Sequence, residues 1–174
     1  MEPNKKLRWS RRLSVVPRWS IVPTIQRQNV AEHSFHVAQT ALWLLQYHIT
    51  ADGAPETMAS IKLAVLEHAL EHDVDEAATG DRPTTTKASK SYGFMPQHAI
   101  IVKVADILEA LAFLHEEKLM GNTRLGAVFL ERTAELARVW EYFYKSMDPN
   151  RSVEGILNVY LKALYVSHPG LETT

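Results

Sequence analysis

The stretch from Leu66 to Lys87, LEHALEHDVDEAATGDRPTTTK, places His68, Glu71, His72, Asp73, Glu76 and Asp81 along one apolar helical run and the polar loop after it. Two metal sites can be read from it. In the first, His68 and His72 stand one helical turn apart with Glu71 between them, the inverted zinc-protease spacing in which two imidazoles bind zinc and the glutamate activates water. Residues four apart share a helix face, so the geometry is sound, but this site needs a third protein ligand further along the chain and none announces itself. In the second, His72 and Asp73 are adjacent ligands at the helix end. Neighbouring residues point about 100° apart on a helix, so both reach one ion only if it lies beside the helix end and other elements close around it. His33, just inside NVAEHS, and Asp106, inside IIVKVADILEALAFL, are the residues to close it. A carboxylate within so apolar a helix is costly unless ionic or metal bonds compensate. A salt bridge to Lys or Arg, or a partly exposed position beside Glu109, would satisfy Asp106 as well as a metal does.

The elements that must carry these residues are helices. Periodicity near 3.6 dominates and no stretch alternates long enough for a strand, which predicts an all-α bundle of about five to seven helices. Asn29 caps a helix over 30–48 with Glu32 reaching back from the third position, and Val30, Ala41, Leu44 and Leu45 supply its buried surface. After the turn ADGAPETMAS, with Pro55 suited to a first helical position, a second helix runs through Ile61, Leu63, Ala64, Leu66 and Leu70 to about His72. The segment 78–96, with Gly80, Pro83, three consecutive threonines, Gly93 and Pro96, reads as an ordered or mobile loop of functional length. A third helix from Gln97 to Gly121 is apolar on all sides and therefore central and buried. Helices over 123–146 and 152–166, separated by MDPNRS, complete the set.

Composition narrows the chemistry. The chain of 174 residues, 46% of them hydrophobic, is long enough for a sizeable core and gives no reason to divide it, so a single domain over 1–174 is expected. With no cysteine, any metal must be held by imidazole and carboxylate. Net charge is −1, yet Lys5, Lys6, Arg8, Arg11, Arg12 and Arg18 crowd the segment 1–18 against Glu2 alone. That end attracts anions or is simply solvated; nucleic-acid binding would need a recognisable module, and none is visible. No apolar run approaches the ~20 residues of a membrane span, and no signal-peptide pattern opens the chain. A soluble protein of the cytoplasm is expected.

Five ordered blocks carry a resemblance: Arg18-Trp19, NVAEHS at 29–34, HDVDE at 72–76, TGDRPTTTK at 79–87 and KVAD at 103–106. Together they resemble the HD-domain metal-dependent phosphohydrolases, in the branch containing the bacterial 5′-deoxynucleotidases and the phage dATP triphosphohydrolases; beyond about Gly121 the likeness is only helical. The resemblance implies a single HD-domain bundle in which His33, His72, Asp73 and Asp106 bind a divalent ion: manganese, cobalt, iron, zinc or magnesium. It implies Glu76 and Asp81 as the catalytic acids, with Glu76 sharing a face with Asp73 if the helix continues one more turn. It implies Arg18 and Lys87 as phosphate contacts, Trp19 as a nucleotide contact and Ile21 as part of the base pocket. Thr85 and Thr86 stand where the bacterial enzymes carry proline and valine, and this chain is shorter than theirs. The short length and the Trp19-to-Ile21 spacing favour a phage-type enzyme, encoded by a phage and acting in the host cytoplasm, that releases triphosphate from dATP; 5′-deoxynucleoside monophosphate hydrolysis is the alternative. An inactive nucleotide-binding module of the same fold is a third reading, and homo-oligomers, dimers or hexamers, are implied. His36 is expected to support His33 rather than bind the ion.

Overall fold

A computed structural model describes residues 3–48, 55–81, 95–144 and 152–165. The chain forms α1 (Pro3–Arg12), a 3-10 turn (Leu13–Val15), α2 (Val30–His48), α3 (Pro55–Glu71), the single-turn α4 (Glu76–Thr79), α5 (Gln97–Leu119), a second 3-10 turn (Thr123–Leu125), α6 (Gly126–Tyr144) and α7 (Val153–Tyr165). Among the described residues, extended pairing is limited to one antiparallel bridge between Pro17 and Asn29. The all-α expectation holds.

The start of α2 is set by a reciprocal cap. The Glu32 backbone N–H donates to Asn29 Oδ1 at 2.9 Å, and the Asn29 N–H donates to Glu32 Oε2 at 3.1 Å, satisfying two backbone groups that the first turn would leave without partners. That cap fixes where His33 sits.

α5 is the axis of the molecule. It packs against α2, α3 and α6, and Ile100, Val104, Ile107, Leu108, Leu111 and Leu114 along it are almost wholly buried. Leu44 and Leu45 of α2, Val65 and Ala69 of α3, and Leu136, Val139 and Trp140 of α6 close around it in one cluster. Each such aliphatic side chain contributes about 1.5–3 kcal/mol relative to exposure, so α5 is the least movable platform available for a functional group. It ends where Gly121 takes φ +93°, with the Asn122 N–H reaching back to the Glu117 carbonyl at 2.9 Å.

Four features differ from the sequence reading. The basic N-terminus is helical as α1, with Lys6 paired to Glu71 at the end of α3. Leu63 and Leu70 face outward, because the buried stripe of α3 runs through Val65 and Ala69 instead. α3 does not continue past Glu71: the chain turns through His72–Asp75, with the Glu76 N–H bonded to the Asp73 carbonyl at 3.0 Å, and restarts as α4. The helix expected from Thr123 begins at Gly126, after a 3-10 turn whose Arg124 N–H is accepted by Asn122. The greater part of the loop, 82–94, lies outside the described residues, and Lys87 with it. No described helix is long and apolar enough to cross a membrane.

Candidate metal centre

Three elements converge beside the middle of α5. The first turn of α2 brings His33, the turn after α3 brings His72 and Asp73, and α5 itself brings Asp106. One ligand atom from each of His33, His72 and Asp73 lies within 4.8 Å of the others. His33 Nε2 is 3.2 Å from Asp106 Oδ1 and 3.9 Å from Asp73 Oδ2, and His72 Nε2 is 3.2 Å from that same Asp73 oxygen.

The outer nitrogens of both imidazoles are already committed. His72 Nδ1 faces the Ala69 carbonyl at 2.7 Å, and His33 Nδ1 is in close contact with Glu109 Oε2. A carbonyl and a carboxylate only accept, so each Nδ1 carries the hydrogen and each Nε2 is left with its lone pair directed at the carboxylates. Both Nε2 atoms are buried and, among the described residues, find no hydrogen-bond partner. Buried polar atoms are otherwise almost always satisfied, and a divalent cation between them satisfies both at once. Two imidazole nitrogens and two carboxylates are a donor set suited to a borderline metal, so the residues present fit one.

Two cations hold the carboxylates. Lys103 Nζ lies 3.0 Å from Asp106 Oδ2 and 2.9 Å from Glu135 Oε1, leaving Asp106 Oδ1 turned toward His33. Asp106 is therefore salt-bridged and adjacent to His33 at the same time. Burial raises the Asp106 carboxyl, but Lys103 and His33 outweigh it and hold it well below the usual range. Arg18 places Nη1 3.3 Å from Asp73 Oδ2 and Nη2 3.8 Å from Asp106 Oδ1. Burial and the Arg18 charge lower the His33 pKa, yet Glu109 and Asp106 raise it above 6.5 overall. The field that favours a proton on His33 is the one that would favour a metal cation there.

Arg18 owes its place to an unusual backbone. Trp19 has φ +59°, an uncommon conformation for a bulky residue, and it is held by Asp81, whose Oδ2 accepts the Trp19 N–H at 2.9 Å. Asp81 thus fastens the turn that aims Arg18. The Trp19 ring is 7% exposed, stacked on Phe113 with centroids 5.4 Å apart and 9° between planes, and the Arg18 guanidinium carbon is 5.6 Å from its centre. It packs more than it presents a free face. Ile21 is 74% exposed. Glu76, at the start of α4, is fully buried although its helix does not continue from α3.

The structure therefore gathers His33, His72, Asp73, Asp106 and Arg18, and sets Asp81 directly behind Arg18. His68, needed by the protease spacing, stands edge-on to His98 at 5.5 Å between ring centres and is not in the cluster that gathers His72. Sequence reasoning missed Glu109 and Gln28. The available signal was that Glu109 follows Asp106 by three positions in the same apolar helix and so shares its face.

The sequence profile of the 5′-deoxynucleotidase YfbR-like family matches residues 7–93, which include Arg18, His33, His72, Asp73, Glu76 and Asp81. The chain belongs to the YfbR-like family. This YfbR-like chain is 36% identical over 125 residues to a dATP triphosphohydrolase of Salmonella phage PMBT28, a match covering 60% of this chain and 63% of the phage enzyme. It spans just under two thirds of that relative's length. It is 29% identical over 170 residues to the 5′-deoxynucleotidase YfbR of Salmonella typhi, covering 76% of this chain and 83% of that enzyme. A conserved hypothetical protein from Pyrococcus furiosus superposes with a TM-score of 0.65 at 19% identity, over 90% of this chain and 98% of that one, a likeness of fold alone.

Proposed function

We propose that this chain is a metal-dependent deoxynucleotide phosphohydrolase whose preferred substrate is dATP, released as deoxyadenosine and triphosphate. The observation that carries the reading is the pair of buried Nε2 atoms, on His33 and His72, that find no hydrogen-bond partner among the described residues and face Asp73 and Asp106 beside an arginine. In this reading those four residues hold one divalent ion: manganese, cobalt, iron, zinc or magnesium. When bound, such an ion supplies Lewis acidity toward a phosphate oxygen and makes water more acidic.

Removing phosphate from a deoxynucleoside monophosphate and triphosphate from dATP break the same bond, between the α phosphorus and the 5′ oxygen, with water supplying the new oxygen. One site can therefore serve either reaction, and what differs is room and charge for two more phosphates. Arg18 exchanges its carboxylate partners for phosphate oxygens, which its planar fork matches in pairs. Lys87 adds a second cation. Glu76 receives the proton that the attacking water loses and returns one to the departing 5′ oxygen. Asp81 keeps the Arg18–Trp19 turn in place, and the exposed Ile21 meets the base.

The higher identity to the phage dATP triphosphohydrolase favours triphosphate release. The family profile and the longer match to YfbR favour the monophosphate reaction as the second reading. We place the protein in the cytoplasm as a homo-oligomer, a dimer or hexamer, without membrane or nucleic-acid partners. Chromatography of the products from dATP, dAMP and dGTP with added Mn²⁺ or Co²⁺ separates the readings. Triphosphate from dATP is expected; phosphate from dAMP alone supports the second reading; no cleavage of any of them leaves a binding module and overturns the proposal.

A further inference from the structure

Glu109 is a tightly held charged group next to the four proposed ligands. It is buried on α5, and each carboxylate oxygen has its own task. Oε2 accepts from His33 Nδ1, and Oε1 accepts from Gln28 Nε2 at 2.6 Å. Gln28, itself buried, turns its other amide atom to Trp19, whose Nε1–H it accepts at 3.1 Å. His36 Nδ1 stands 3.7 Å from Oε1 as a looser third neighbour. Both oxygens therefore face N–H donors, and the carboxylate acts as an acceptor on each side.

We infer that Glu109 is a positioning residue shared by the two halves of the site: one oxygen fixes the His33 ring so that Nε2 faces the ion, and the other, through Gln28, fixes the Arg18–Trp19 turn that meets the phosphate. The chain of bonds has a direction. Trp19 and His33 only donate into it, so the two residues between them must supply two outer acceptors and one donor. Glu109 with Gln28 does this. A glutamine at 109 cannot: however the two amides are flipped, one donor is left facing another, at His33, between the amides, or at Trp19. A swapped pair, glutamine at 109 and glutamate at 28, restores every bond with the acceptors reversed in charge order. Packing alone would not care about this order.

The nucleotide half of the inference rests on the proposed function, and the test keeps the two apart by titrating Mn²⁺ or Co²⁺ alone into metal-free protein by calorimetry, then measuring kcat and KM. Loss of an outer hydrogen-bond partner of a metal-binding histidine costs about 10–100-fold in metal affinity, and E109Q is expected to show a loss of that size in affinity, a raised KM, or both. The double variant E109Q/Q28E is expected to recover most of it. Q28L, which cuts only the turn's arm, is expected to raise KM while metal affinity stays at the wild-type value. If wild-type protein binds neither ion, it is the proposed function that falls. If wild type binds and E109Q matches it in both affinity and KM, if the swap is no better than E109Q, or if Q28L leaves KM unchanged, the shared positioning role is overturned.

Discussion

Arg18 illustrates how much of this site depends on the shape of single side chains. Its two terminal nitrogens address Asp73 and Asp106 separately, at 3.3 and 3.8 Å, from a turn held by Asp81. A lysine there keeps the charge but has a single nitrogen in place of the planar two-nitrogen fork. R18K is therefore expected to fold normally and to lose about 10–100-fold in kcat/KM, the equivalent of one charge-assisted hydrogen bond of roughly 1.5–3 kcal/mol, in steady-state assays; full activity in R18K would remove Arg18 from phosphate binding. His33 and Asp106 could be picked out of the sequence because each breaks its local pattern, an imidazole just inside a capped helix and an acid inside an apolar one. Glu109 lies in the same apolar helix and on the same face as Asp106, but its partners His33 and Gln28 come from distant parts of the chain, so its role was not legible from spacing alone. Trp19 was expected as a nucleotide contact, and its stack on Phe113, far away in sequence, decides how little of it is free.

Helices and turns meet through a few polar clamps on α5. Glu117, fully buried, accepts from the Ile25 N–H at 2.7 Å, the Gln26 N–H at 2.6 Å and Asn122 Nδ2 at 2.7 Å, tying the segment before α2 to the end of α5. Burial raises its carboxyl, but these three donors outweigh it, so its pKa lies below the ordinary 4.5. A depressed folded-state pKa favours the ionised form in the folded protein; its stabilisation is present above the unfolded value and is lost as pH falls through the folded one. E117Q, which sets an amide donor against backbone donors, is expected to cost about 1–3 kcal/mol near neutral pH. For a chain of this size each kcal/mol is roughly 2–4 °C in melting temperature, and the gap between wild type and E117Q should narrow as pH is lowered below about 4.5. A gap that is constant with pH would contradict the clamp. Lys103 joins α5 to α6 through Glu135 while steadying Asp106. K103M should cost about 3 kcal/mol, at the low end for a broken buried pair because Glu135 keeps Arg132 at 2.7 Å, and thermal melts would register it. The boundaries of α2 and α5 were readable because a capping pair and a glycine mark them. α1 was not, since a run of lysines and arginines looks the same whether solvated as coil or as a helix laid beside Glu71.

For the molecule as a whole, helical periodicity and the all-round apolar character of α5 were enough to specify a bundle around a central helix. What periodicity cannot give is the break at His72–Asp75, because a turn that brings His72 and Asp73 beside His33 has the same apolar spacing as a helix until the third dimension is known. Phe35, Leu63, Leu70 and Leu130 remain more than half exposed on the described surface, consistent with the proposed association of copies. Light scattering is expected to return two or six times the chain mass, and a monomer at micromolar concentration would contradict that part of the reading. The central claim is more local: one divalent ion seated among His33, His72, Asp73 and Asp106. Anomalous diffraction from crystals grown with Co²⁺ tests it directly. A peak about 2.0–2.2 Å from both Nε2 atoms and from an oxygen of each aspartate is the predicted result; a peak on His68 and His98 instead, or none at these four residues, would contradict it.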